Sequence, residues 1–266
     1  MARTHGTREL WLSALRADGQ AMRLALEQVA AAPEGLATSV PSRPGWRVLD
    51  LIHHVGARYR EVRSHVSRGV TSRPEELPST PPPPPDATAI QWWAEEHEQL
   101  LQLLESLDPH QPAWNWAPRP KDLSFWQRRM AHFTAVHRWD AQTAAGMVEP
   151  IEAKLAADGV TEVLDTLLPA GRRRDRTERF GVVHLVATDP DHEWFVRLRG
   201  SGLALLDTGS WLDHEDPQAR AQARGTASDL VLALSGRVPF DVLEVSGEVE
   251  LLESLRVADD PRPQAG

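Results

Sequence analysis

The chain contains no cysteine. Disulfides, thiolate metal sites and cysteine nucleophiles are therefore excluded, and any thiol chemistry needs a thiol brought in by a cosubstrate or partner. No apolar run approaches the roughly 20 residues of a membrane-spanning helix. The opening Met1-Ala-Arg-Thr-His-Gly-Thr-Arg8 lacks the apolar centre of a secretion signal, so a cytoplasmic location is expected. Positive charge is also short. With 29 Lys and Arg against 38 Asp and Glu, the net charge of −9 opposes broad contact with nucleic acid or an anionic membrane. The one basic cluster, Arg172-Arg-Arg-Asp-Arg176, is brief, interrupted by acid, and reads as a solvated turn. Tyrosine is nearly missing: one Tyr and five Phe stand beside ten Trp. Several indoles are expected to fill a core and one or two to line a pocket.

What remains is ordinary for a folded chain. At 266 residues, 41% hydrophobic and 25% charged, the length suits one large domain or two smaller ones, and no internal repeat is visible. Apolar residues recur at helical spacing from Thr7 to about Ala32, through Leu10, Trp11, Ala14, Leu15, Met22, Leu26 and Val29. Pro33, Gly35 and Val40-Pro-Ser-Arg-Pro-Gly-Trp46 end that helix in a rigid turn. A second helix is expected from about Arg47 to Ser67. Thr71 to Asp86, with Pro81 through Pro85, reads as an extended surface connector. A third helix follows from about Thr88 to Leu107. A loop carrying Trp114 and Trp116, candidate pocket walls, leads to a fourth from Ser124 to Ala145. Four such helices close a bundle whose facing side chains can build a site.

The character changes after Gly146. A helix is expected over Ile151 to Leu168, then strands at Phe180–Thr188, Glu193–Arg199 and Leu203–Leu206. Ala219 to Ser235 reads as helix, with Thr226 or Ser228 as its cap and Gly236 as its stop. Glu248–Leu252 closes the fold, and Pro261 to Gly266 reads as a frayed tail. The expected organisation is α followed by α/β: residues 1–150 form a four-helix bundle, and 151–266 a small α/β domain with a mostly antiparallel sheet.

The fourth helix carries the chemistry. In Arg128-Arg-Met-Ala-His-Phe-Thr-Ala-Val-His-Arg-Trp-Asp-Ala-Gln142, a helix turning ~100° per residue lines up Arg129, Phe133, His137 and Asp140. Phe133 and Asp140 both reach the His137 imidazole, whereas His132 lies ~140° around the helix. On the second helix His53 and His54 diverge by ~100°, so one of them at most faces the core. Two histidines from different helices, with Asp140 as third ligand or as the group holding the imidazole's tautomer, are compatible with a divalent metal. Lone histidines on helices are more often hydrogen-bonded core or surface residues.

The segments Val40-Pro-Ser-Arg-Pro-Gly-Trp-Arg-Val-Leu-Asp-Leu-Ile-His-His-Val-Gly56 and Arg128–Asp140 resemble the actinobacterial mycothiol-dependent maleylpyruvate isomerases, within the DinB-like four-helix metalloenzymes. Gly181 to Leu252, with Thr226-Ala-Ser-Asp-Leu-Val-Leu-Ala-Leu-Ser-Gly-Arg237, resembles that family's C-terminal α/β domain. The resemblance implies mycothiol as cosubstrate, a small electrophilic substrate, and isomerase or S-transferase-like activity. It also implies a zinc or other divalent ion held by one His of the second helix and a Glu-x-x-x-His pair of the fourth. The histidines map to His54 and His137. The Glu position maps to Phe133, which cannot ligate, so the implied site is altered: rebuilt with Asp140 or water, or lost. A metal-free member using the same pocket for acid–base catalysis, and a non-catalytic small-molecule binder, are the alternatives. His137 and Asp140 are the candidate catalytic residues of the bundle. Arg237, at the end of the C-terminal helix, is a candidate anion clamp across the domain interface or an ordinary helix-end arginine.

Overall fold

The computed structural model describes residues 6–75, 84–118, 120–175, 177–206 and 219–258. The expected extended segment through Pro81–Pro83, Arg176 of the basic cluster and the tail Pro261–Gly266 lie outside these residues. Among the described residues two compact units emerge, residues 7–149, and residue 6 with residues 150–258.

The first unit is built on four long helices: α1 (Arg8–Ala31), α2 (Val48–Ser67), α3 (Asp86–Ser106) and α4 (Leu123–Ala145). Each begins where the local chemistry allows. The Thr7 hydroxyl accepts from the Leu10 amide and caps α1. The Asp50 carboxylate accepts the Arg47 amide at 2.9 Å and closes the first turn of α2. Asp122 caps α4 through the Ser124 amide at 3.1 Å. Gly146, at φ 68°, ends α4 in the left-handed conformation that glycine adopts without a Cβ penalty.

The core runs the length of the bundle through Leu15, Met22, Leu26, Leu51, Ile52, Tyr59, Trp93, Leu100, Leu104, Trp126 and Met130, each almost fully buried. α4 is buried along most of its length and carries Gln127, His132, Thr134, His137, Arg138, Asp140 and Gln142 into the interior. Buried polar groups must find partners or cost stability. Two such partnerships are explicit. The Gln127 amide donates to the Leu104 carbonyl at 2.8 Å, and the hydroxyls of Tyr59 and Thr134 meet at 2.7 Å. Burial raises the Tyr59 phenol well above its ordinary range, so it stays protonated.

α1 and α3 approach closely at Gly19, where an added Cβ would sit 2.2 Å from the His97 ring. That closeness lets the His97 Nε2–H donate to the Leu15 carbonyl at 3.0 Å, with its ring stacked on Trp93 at 5.7 Å. Burial lowers the His97 pKa below its ordinary value. Below about pH 6.5 the unfolded chain therefore takes up this proton before the folded one does. His97's contribution to stability is complete above that pH and is lost as the pH falls through the depressed folded value. The unfolding midpoint of the bundle is expected to drop between about pH 7.5 and 5.5, and less steeply in His97→Gln. Urea titrations at both pH values measure the difference in slope.

The second unit is a five-stranded sheet with helices against one face. Its elements are α5 (Ala153–Glu162, running on into a π-helical turn Val163–Leu167), β1 (Arg179–Thr188), β2 (Asp191–Gly200), β3 (Gly202–Leu206), β4 (Arg220–Gly225), α6 (Ala227–Leu234), β5 (Glu244–Gly247) and α7 (Val249–Glu253). The strand order is β3-β2-β1-β4-β5. Among the described strands β1 and β4 pair in parallel, and the other pairs are antiparallel. Val183, Leu185, Ala187, Trp194, Val196, Leu198, Ala221 and Ala223 alternate onto the buried face. The Trp194 indole donates to the Thr161 hydroxyl at 2.9 Å, setting α5 on that face.

The helix expected from Ala219 is corrected here. Arg220–Gly225 is a strand, and the helix begins only at Ala227, capped by the Thr226 hydroxyl on the Asp229 amide. Arg-Ala-Gln-Ala-Arg consists of good helix formers. Its period-two burial, with Ala221 and Ala223 inward, is decided by pairing with β1.

Candidate active site in the helical bundle

The fourth helix and the second bring their expected residues together. His54 on α2 and His137 on α4 lie with ring centroids 5.2 Å apart and planes tilted by 33°. Both are buried. Phe133 packs against both rings, at 4.3 Å from His137 and 5.7 Å from His54. Its far side meets Tyr59 at 6.3 Å. The position that would hold a carboxylate in the implied ligand set is thus filled by a hydrocarbon ring lying against the two imidazoles.

Asp140 is fully buried one turn beyond His137. Its Oδ2 lies 3.5 Å from the His137 Nδ1, and its Oδ1 accepts from the Ser42 hydroxyl at 2.6 Å. The carboxylate therefore addresses the Nδ1 side of the ring, away from Nε2. An ion bound at Nε2 would lie on the opposite edge. Among the described residues, no group of three His, Cys, Asp or Glu side chains is arranged to hold a metal ion.

The remaining expected residues are placed elsewhere. The His53 Nε2–H donates to the Pro84 carbonyl at 2.9 Å, and the ring edges onto Trp92. Trp114 covers His65 at 4.6 Å and Trp116 packs on Phe125 at 5.2 Å, so these indoles are committed to their own packing. Arg237 belongs to the second unit, just past α6, where its Nη1 donates to the Ser235 carbonyl at 2.8 Å.

The indole beside the histidines is Trp46, edge-on to His54 at 5.1 Å. It arrives on the turn Val40–Trp46, which also supplies Ser42 to Asp140 and lays the buried Arg43 guanidinium 3.8 Å over the Trp46 ring. Sequence reasoning reads this turn as a helix terminator and misses its contribution to the site. Its one available signal was position, seven to thirteen residues ahead of His53 within the motif that carries the resemblance.

The described residues thus form a four-helix unit with paired histidines, followed by a small α/β unit. The Mycothiol maleylpyruvate isomerase N-terminal domain matches residues 15–142, and the MDMPI C-terminal domain matches residues 154–254. Together they span most of the chain, which belongs to the mycothiol maleylpyruvate isomerase family. No curated protein and no solved structure matches it. No helix among the described residues is long and apolar enough to cross a membrane.

Proposed function

We propose that this chain is a mycothiol-dependent isomerase or S-transferase-like enzyme for a small electrophile, and that its bundle site works by acid–base chemistry on His54 and His137. Membership of the family supports the thiol and the isomerase type. The observation that carries the rest is Phe133 lying against both imidazoles while Asp140 is turned to the His137 Nδ1.

The donor set does not fit a zinc centre of the implied kind. Catalytic zinc takes about three protein ligands and an open position. Here two imidazoles stand beside a phenyl ring, and the Asp140 carboxylate faces the Nδ1 edge of His137. No step is therefore assigned to a metal.

The thiol, when bound, supplies the nucleophilic sulfur, and the thiolate rather than the thiol is the reactive form. The chain's part is to move the proton. With a proton on Nδ1 facing Asp140, the His137 Nε2 is a base, and the imidazolium formed on accepting the thiol's proton is stabilised by the carboxylate at 3.5 Å. His54 completes the pair. Two imidazolium charges 5.2 Å apart would repel by about 3 kcal/mol at an effective dielectric of about 20. At most one ring of the pair therefore carries the extra proton at a time, which leaves the other free to act as a base. Phe133 and Trp46 keep the rings dry and in place. Arg237 remains the second unit's candidate anion-holding side chain.

Purified protein given mycothiol and maleylpyruvate is expected to isomerise the substrate, with a rate unchanged after dialysis against chelator. Turnover that chelator abolishes and zinc restores would overturn the acid–base reading. Stoichiometric retention of the thiol without turnover would assign the site to binding alone.

A further inference from the structure

We propose that Ser42 is a positioning residue of this site, acting through Asp140 to fix the proton on the His137 Nδ1. The three side chains stand in a row, joined by one hydrogen bond and one close ionic approach. The Ser42 Oγ–H donates to the Asp140 Oδ1 at 2.6 Å, and the Asp140 Oδ2 stands 3.5 Å from the His137 Nδ1. A carboxylate can turn about its last torsion with little penalty, because terminal sp³–sp² rotors are broad. Holding one oxygen therefore sets where the other points. The hydroxyl is a directional donor to a charged acceptor, the stronger kind of hydrogen bond.

The row has a rigid mount. Across the turn, the Val40 amide donates to the Trp46 carbonyl at 2.9 Å, the Arg43 amide to Val40 at 3.0 Å, and the Trp46 amide to Arg43 at 3.0 Å. The Val48 amide, donating to Thr38 at 2.9 Å, closes the next ring outward. Pro41 and Pro44 restrict the backbone, and Gly45 takes a φ of 83°, which strongly favours glycine. Arg43 stacked on Trp46, and Trp46 edged against His54, tie the same turn to the other histidine. One short turn thus touches both imidazoles, one through an indole and one through a carboxylate.

A helix-terminal serine bonding a nearby surface acid would be structural only. Asp140 is neither at the surface nor at a helix end: it is fully buried inside α4. A buried carboxylate turned toward an imidazole sets the ring's tautomer, and the group that orients the carboxylate shares in that setting.

The test reads the tautomer directly, without reference to activity. Long-range ¹H–¹⁵N correlation spectra of histidine-labelled protein at about pH 9, above the ordinary imidazole range near 6.5, distinguish Nδ1–H from Nε2–H. The native protein is expected to show His137 as the Nδ1–H form. Ser42→Ala is expected to give a mixture of both forms in protein that remains folded, and Ser42→Thr, which keeps the hydroxyl, to restore the native signal. An identical His137 signal in native protein and Ser42→Ala, or an Nε2–H ring in the native protein, would overturn the proposal.

The kinetic consequence rests on the function proposed above. With mycothiol and maleylpyruvate, kcat is expected to fall about tenfold in Ser42→Ala with KM held, a loss in line with a hydrogen bond to a charged group. A tautomer change in protein that turns nothing over would uphold the role of Ser42 and count against that function.

Discussion

His137→Ala is expected to lower kcat/KM for mycothiol-dependent turnover by about 10²–10⁴-fold while leaving the bundle folded. That range is what a positioned proton-transfer group contributes. The ring touches Phe133 and His54 and faces Asp140, so its removal deletes the base and leaves the buried carboxylate without that neighbour. Steady-state kinetics beside a thermal melt separate the two effects. A loss confined to stability, with kcat/KM intact in the folded fraction, would reduce His137 to a core residue. His54→Ala is expected to act in the same direction, because its ring lies against that of His137 at 5.2 Å.

The second large effect is on stability. Arg138, next to His137, points to the other side of α4 and is almost fully buried. Its Nε pairs with Asp18 of α1 at 3.0 Å, and its Nη1 donates to the Gln142 side chain and to the Glu149 carbonyl at 2.8 Å. The Gln142 amide donates in turn to the Glu149 carboxylate at 3.1 Å. Removing one partner of a buried ion pair costs about 3–5 kcal/mol, because the remaining charge stays desolvated. Arg138→Ala is therefore expected to lower the stability of the bundle by about 3 kcal/mol, a fall of roughly 10 °C in Tm. Arg138→Met with Asp18→Leu, which removes both charges and keeps volume, is expected to recover part of that loss. Urea unfolding followed by tryptophan fluorescence measures each variant. Equal losses in the single and double variants would show that packing, not the ion pair, sets the cost.

The fourth helix was readable in the sequence because its information is local. The chain from Leu123 to Ala145 lacks Gly and Pro, Gly146 stops it, and the spacing of Phe133, His137 and Asp140 puts them on one face. The meeting of His54 with His137 followed from resemblance. Periodicity alone gives each helix a buried face but not the rotation of one against another. What escaped reading was long-range. Ser42 and Asp140 are 98 residues apart, and nothing in a proline-rich turn announces that its serine ends on a buried carboxylate. Trp114 and Trp116 were equally plausible pocket walls until the contacts of His65 and Phe125 accounted for them. The misread strand Arg220–Gly225 failed for a related reason: alanine and arginine favour helix locally, and only the neighbouring β1 turns them into a ladder.

Phe133 binds these observations together. A carboxylate there would face two imidazoles and give a third donor; the phenyl ring gives an apolar wall. The most direct measurement is the zinc content, by elemental analysis, of native protein purified without chelator and then incubated with Zn²⁺, beside a Phe133→Glu variant treated in the same way. The native protein is expected to retain far less than one equivalent after desalting, and the variant about one equivalent. One tightly held equivalent in the native protein would contradict an acid–base site that works without metal.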